Sequence, residues 1–203
     1  MIMKQKDTLI NKLEKAGAVT VIAVWILRIF LGPVLNYALL VTTTLLAIYY
    51  LWFGFFIFNK LQPLQLLYLE IRQSITVFRI IPTILMGIIS SYALIAILFG
   101  FFFYPGMQFM LSSALILLVL FTGTMTGIQY IKKKFDPFCP RMYIRAAGLM
   151  IILLILWAPP VEDRLNILFR DHPEFIEAYL DYREDPDDPE NIQRLREQRS
   201  RFR

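Results

Sequence analysis

Charged residues are scarce in this chain. Only 18% of its 203 residues are Asp, Glu, Lys or Arg, whereas a soluble domain usually carries about 25%. Hydrophobic residues make up 57%, and the mean hydropathy is +0.55. Between Ala16 and Pro159 the sequence is almost continuously apolar, and its charges fall at the breaks. This composition excludes an ordinary soluble domain and predicts an integral membrane protein with a short polar appendage.

Cysteine and histidine are almost absent, since Cys139 and His172 are the only residues of their kinds. A single cysteine excludes an internal disulfide and a multi-cysteine metal site. The predicted spans contain no Asp, Glu or His, which argues against a proton relay or metal-assisted hydrolysis at membrane depth. We therefore predict no catalytic residue, no metal and no cofactor, and a chain that is not an enzyme.

The apolar sequence is long enough for about five membrane crossings. One transmembrane helix needs about 20 residues, and the sequences Gly32-Pro33 and Tyr104-Pro105-Gly106 are typical of tight turns. The sequence thus predicts an all-α integral membrane protein with two tight helical hairpins plus one further helix. The predicted spans are about 16–32, 36–58, 80–103, 107–131 and 142–158.

These spans divide the chain into an N-terminal segment, 1–15, a transmembrane domain, 16–158, and a polar helical tail, 159–203. The first apolar run ends without a small-residue cleavage site, which favours an uncleaved anchor over a removed signal peptide. Residues 64–78 have their apolar side chains at intervals of three and four. This spacing predicts an amphipathic helix at the bilayer surface; the alternative is the polar start of the third span.

Basic residues indicate the orientation of the predicted spans. Residues 1–160 contain 13 Lys/Arg and 4 Asp/Glu, a net charge of +9, whereas residues 161–203 contain 8 and 12, a net charge of −4. Twelve of the 13 basic residues lie on one side of the spans, and the two hairpin turns contain none. The positive-inside rule then predicts a bacterial inner-membrane protein with a cytoplasmic N-terminus and a periplasmic C-terminus. Because these residues flank spans, we expect them to face lipid headgroups and not nucleic acid.

Two features within the spans are candidate contact sites. Arg28 lies inside the first span, where a charge is costly. It contacts either a partner subunit, an anionic ligand or a lipid headgroup, or it snorkels to the outer interface. Gly123 and Gly127 form a GxxxG motif, which favours close helix association within the chain or with a partner.

The polar tail has apolar residues at helical spacing but too few of them to form an independent core. We predict that they dock onto a partner in the periplasm, the alternative being a fraying tail. The candidate contact residues are Leu165, Phe169, Phe175, Ile176, Tyr179 and Leu180.

One hairpin turn resembles a known pattern. In small Bacteroidetes inner-membrane proteins, a helix is often followed by His-Trp-Pro-Gly-Ala and a second helix. The run Phe103-Tyr104-Pro105-Gly106-Met107 looks like that turn, and Leu51-Trp52-Phe53-Gly54-Phe55-Phe56 resembles its aromatic helix end. The gliding-motor and type IX secretion membrane subunits belong to this type. The resemblance implies a bacterial source. The motor subunits depend on an acidic residue within the membrane, which the predicted spans lack, so it does not imply a motor role.

Together these features favour a non-enzymatic accessory or scaffold subunit of a larger bacterial membrane complex. Its helices would pack on other membrane subunits, in a homo- or hetero-oligomer, and its tail would dock on the same complex. The alternative is a small transporter or channel for an anionic or lipid-like solute, in which Arg28 would be the polar determinant.

Overall fold

A computed structural model describes residues 8–67, 77–132 and 139–201, and within these ranges it contains helices and no strand. The all-α class is therefore confirmed. Five long helices come first: α1 (Leu9–Leu31), α2 (Asn36–Asn59), α3 (Val77–Phe102), α4 (Met107–Lys132) and α5 (Cys139–Trp157). Three shorter helices form the tail: α6 (Val161–Leu168), α7 (Pro173–Glu184) and α8 (Pro189–Ser200).

Four helices, α2 to α5, are long and apolar enough to cross a membrane, which fits a multi-pass membrane protein. In α3, the part that is long and apolar enough to cross a membrane begins at Arg79. The remaining long helix, α1, begins at Leu9 and so includes more charge than the predicted first span did. Every 18-residue stretch of α1 contains at least three of its four charged residues, Lys12, Glu14, Lys15 and Arg28.

The two predicted hairpin turns lie where glycine allows a left-handed backbone. Gly32 has φ +71° and opens a short 3-10 helix, Gly32–Leu35, between α1 and α2. Gly106 has φ +79° between α3 and α4. A side chain would be strained at either position, so these glycines let the chain reverse with little exposed backbone.

The predicted amphipathic helix, 64–78, lies largely outside the described residues. A 3-10 helix, Pro63–Leu67, covers its beginning, and α3 begins at Val77. Cys139 lies three residues before the predicted span 142–158; it is the first residue of α5 and is buried.

The chain divides into two compact units, Met1–Val19 with Thr43–Trp157, and Thr20–Thr42 with Ala158–Arg203. In the first unit α3, α4 and α5 pack against one another. Their shared core consists of small and aliphatic side chains that are fully buried, among them Ala93, Ala96, Ile97, Leu111, Ala114, Leu118 and Leu153. Small residues let helices approach closely, and the resulting van der Waals packing helps to hold helices together in lipid.

In the second unit α7 packs against α8, and α6 contacts α7. Asp188 begins α8 in the expected way, because its carboxylate accepts a hydrogen bond of 3.0 Å from the Glu190 backbone N–H. Ion pairs of 2.7 Å join Arg194 to Asp181 and Arg201 to Glu174 across the two helices. These pairs are exposed, so each adds only about 0.2–1 kcal/mol, and the buried apolar side chains hold the tail together.

Candidate functional site around Arg28 and Arg145

The first unit contains a buried carboxylate that sequence analysis missed. Glu14 is only 4% exposed. It accepts hydrogen bonds from Arg145 Nε (2.9 Å) and Nη2 (2.8 Å), one at each carboxylate oxygen, and from the Tyr50 hydroxyl (2.5 Å). The guanidinium carbon of Arg145 also lies 5.5 Å from the centre of the Phe58 ring. One acidic group thus joins α1, α2 and α5.

The position of Glu14 on α1 explains its burial. The buried side chains of α1 include Ile10, Glu14, Val21, Trp25 and Arg28, which are three, four or seven residues apart. They share one face of the helix, whereas the side chains of the neighbouring lysines of α1 are exposed. Glu14 lies before residue 16, where we predicted the first span to begin, and α1 is not among the four helices that are apolar enough to cross a membrane. The same spacing, extended toward the N-terminus, would have found Glu14.

The hydrogen bonding of Glu14 favours a structural role. A paired, bidentate arginine–carboxylate contact is strong and geometrically specific. Away from water, its attraction must offset the cost of removing both charges from solvent, and the Tyr50 hydroxyl helps to do so. Both carboxylate oxygens already accept hydrogen bonds, so the group is better suited to clamping three helices than to binding a ligand.

The second unit encloses Arg28, which is 1% exposed. Its Nε donates to Asn36 Oδ1 at 2.7 Å, and its Nη1 donates to the Leu168 carbonyl at 3.1 Å. The guanidinium carbon lies 5.2 Å from the centre of the Phe169 ring. Its Nη2 is buried and has no hydrogen-bond partner among the described residues. Arg28 therefore does not snorkel to the surface.

The Leu168 carbonyl is a favourable acceptor for a cation. Leu168 is the last residue of α6, where carbonyl groups lack partners within the helix. The helix dipole also places partial negative charge at this end. Arg28 thus caps α6 and ties the tail to the α1–α2 turn inside the second unit. No interaction of Arg28 with another subunit is needed to explain its position; a partner or ligand contact remains a prediction.

The predicted tail contacts lie mainly inside the second unit. Leu165, Phe169, Phe175 and Tyr179 are buried, and the rings of Phe169 and Phe175 are 4.4 Å apart. Burial raises the pKa of Tyr179, although nearby arginines oppose the shift.

Two of the six predicted tail contacts remain partly open. Ile176 and Leu180 are half-buried. They are therefore the two of these six residues whose side chains still have exposed surface that another protein could contact.

The GxxxG motif of α4 makes no close contact within the described chain. A Cβ atom built on Gly123 or Gly127 meets nothing within 4 Å. The close glycine contact instead joins Gly54 of α2 to Gly87 of α3, where a Cβ on Gly54 would lie 2.6 Å from the Gly87 Cα. Sequence analysis missed this contact because each glycine is isolated on its own helix and forms no motif.

Metal binding finds no support in residues 8–67, 77–132 and 139–201, where no three His, Cys, Asp or Glu side chains are placed to hold an ion. The described residues thus provide two internal clamps, at Glu14 and Arg28, and an open helix face on α4. Comparison with protein families, with curated proteins and with solved structures finds no match to this chain.

Proposed function

We propose that this chain is a non-enzymatic accessory or scaffold subunit of a larger membrane complex. The observation that carries the proposal is the open face of α4. In the 18-residue apolar stretch of α4 only 22% is buried, whereas 56% is buried in the corresponding stretch of α3. The face is defined by Leu120, Gly123, Gly127 and Ile131, which are exposed and recur at helical spacing.

This face is suited to a second helix. Two glycines four residues apart leave a shallow groove in which another helix backbone can approach closely. Two of the neighbouring hydroxyl groups are already bonded: Thr122 donates to the Leu118 carbonyl and Thr126 to the Thr122 carbonyl, both at 2.8 Å. A partner helix therefore need not supply polar groups, and close van der Waals packing suffices.

The tail would add a second contact on the same complex. Its buried side chains stabilise the second unit, so its partner surface would be Ile176 and Leu180 with the exposed Ile167. The alternative, a transporter or channel for an anionic or lipid-like solute, would need Arg28 within reach of the solute. The nearly complete burial of Arg28 favours the scaffold.

Replacing both Gly123 and Gly127 by Leu should remove the co-purifying chains while leaving this chain folded, because a Cβ atom at either position meets nothing within 4 Å and the larger side chains would fill the groove. The measurement is mass spectrometry of chains recovered with the full protein in mild detergent. Gly148→Leu is the matched control, since Gly148 is also exposed and open but lies on α5. An unchanged set of partners in the double variant would show that this face is covered by lipid alone and would refute the proposal.

The five-span arrangement belongs to the same proposal. Both charged side chains in the buried face of α1 form hydrogen bonds within the chain, and the helix also presents exposed apolar side chains such as Val19 and Phe30. Such a helix can cross a bilayer despite its composition. The excess of basic residues supports a cytoplasmic N-terminus and a periplasmic tail in a bacterial inner membrane.

Reporter fusions test this orientation. A reporter that is active only in the periplasm should be active when fused to the C-terminus and silent when fused after Lys134. Four predicted crossings return the chain to the cytoplasm at Lys134, and the fifth places the C-terminus in the periplasm. A silent C-terminal fusion would mean an even number of crossings and would exclude the five-span arrangement.

A further inference from the structure

Three arginines of the first unit converge on the end of α2. Arg79 Nε donates to Asn59 Oδ1 at 2.5 Å, and Arg141 Nη1 donates to the Phe58 carbonyl at 3.4 Å. Arg145 lies over the Phe58 ring and donates from Nη1 to the Arg141 carbonyl at 3.3 Å. Each of the three side chains is partly exposed, so the cluster is within reach of a ligand at the end of the helices.

The charge balance at this cluster is positive. Glu14 is the one acidic residue among the described residues of the first unit, and it pairs with Arg145. Across residues 1–160 basic residues outnumber acidic ones by 13 to 4. Positive charge therefore exceeds negative charge in this part of the chain, which favours the binding of an anion.

An apolar track leads away from the cluster along α5. Ile144, Ile151 and Ile155 are 59–73% exposed. They lie on the same side of α5 as Gly148, and Arg141 lies at the N-terminal end of this side. A Cβ on Gly148 would meet nothing within 4 Å. The track thus has a cationic group at its head and about three helical turns of open apolar surface below it.

We infer that this cluster binds the phosphodiester headgroup of an anionic phospholipid, with an acyl chain lying along the α5 track. Arginine presents a planar fork of N–H donors that matches phosphate oxygens. Basic sites between helices at the membrane surface are suited to such headgroups. A free phosphate would satisfy the arginines but not the apolar track, so the lipid is the ligand that uses both features.

Native mass spectrometry of the full chain in mild detergent tests the inference. With phosphatidylglycerol and phosphatidylcholine in equal amounts, we expect at least about tenfold preferential binding of phosphatidylglycerol. The variant Arg79→Gln with Arg141→Gln should lose this preference. The control, Lys12→Gln with Lys132→Gln, removes the same charge from exposed residues outside the cluster and should keep it.

Several outcomes would overturn the inference. These are equal binding of the two lipids by the unchanged chain, a preference retained by the arginine variant, or an equal loss in the control, which would indicate general charge attraction. Displacement of the lipid by millimolar inorganic phosphate alone would identify a free-anion site instead. If the double variant does not fold, Arg141→Gln alone serves, and a retained preference in that variant counts against the site.

Discussion

Replacing Glu14 by Ala should lower the free energy of unfolding by about 3–5 kcal/mol, because Arg145 would keep a charge in a largely buried site without its carboxylate. Replacing Arg145 by Ala should have a similar effect. Changing both together should cost clearly less than the sum of the two single changes, since no unpaired charge remains. The measurement is reversible unfolding of the purified chain in detergent, followed by helical circular dichroism.

A surface ion pair provides the control for this experiment. Arg194→Ala removes an exposed pair with Asp181, and we expect a loss under about 1 kcal/mol. Single changes at Glu14 and Arg145 that cost no more than this control would contradict the clamp. Strict additivity in the double variant would show that the two residues do not stabilise the fold through each other.

The second large effect is expected at the Gly54–Gly87 contact. A Cβ on Gly54 would lie 2.6 Å from the Gly87 Cα, and one on Gly87 would lie 2.8 Å from the Tyr50 carbonyl oxygen. These neighbours are backbone atoms and cannot rotate away, so α2 and α3 would have to separate. We expect Gly54→Ala or Gly87→Ala to destabilise the chain by about 1–3 kcal/mol, and the corresponding Leu variants to prevent folding of the first unit.

The open glycines give a control of opposite sign. At Gly123 and Gly127 an added methyl group meets nothing, and alanine is favoured over glycine within a helix by about 0.5–1 kcal/mol. Thermal unfolding in detergent should therefore show neutral or raised stability for Gly123→Ala and Gly127→Ala. A Gly54→Ala variant as stable as these two would mean that the helices are not in close contact at that position.

The two clamps have a common consequence for the fold. Glu14 and Arg28 are buried charged residues of α1, and each forms a hydrogen bond with a residue far along the chain, Arg145 or Leu168. A buried polar group without such a partner would destabilise the fold. The burial of these two side chains therefore depends on segments that follow α1 by more than a hundred residues.

The sequence by itself determined the membrane class and most helix positions. The predicted spans 36–58 and 107–131 fall within one residue of α2 and α4, because long apolar runs and Pro/Gly turns act locally. It also indicated a helical tail, which the structure shows as α6, α7 and α8.

Only the tertiary structure decided which residues meet. Arg145 pairs with Glu14 across 131 positions, and Arg28 bonds to Leu168 across 140. The tertiary structure also assigned the close helix contact to Gly54 and Gly87 and left the GxxxG motif of α4 open. Periodicity shows which face of a helix is buried, but it does not show which helix covers that face. That choice follows from the packing of all the helices together, since it depends on shape and charge partners that are distant in the chain.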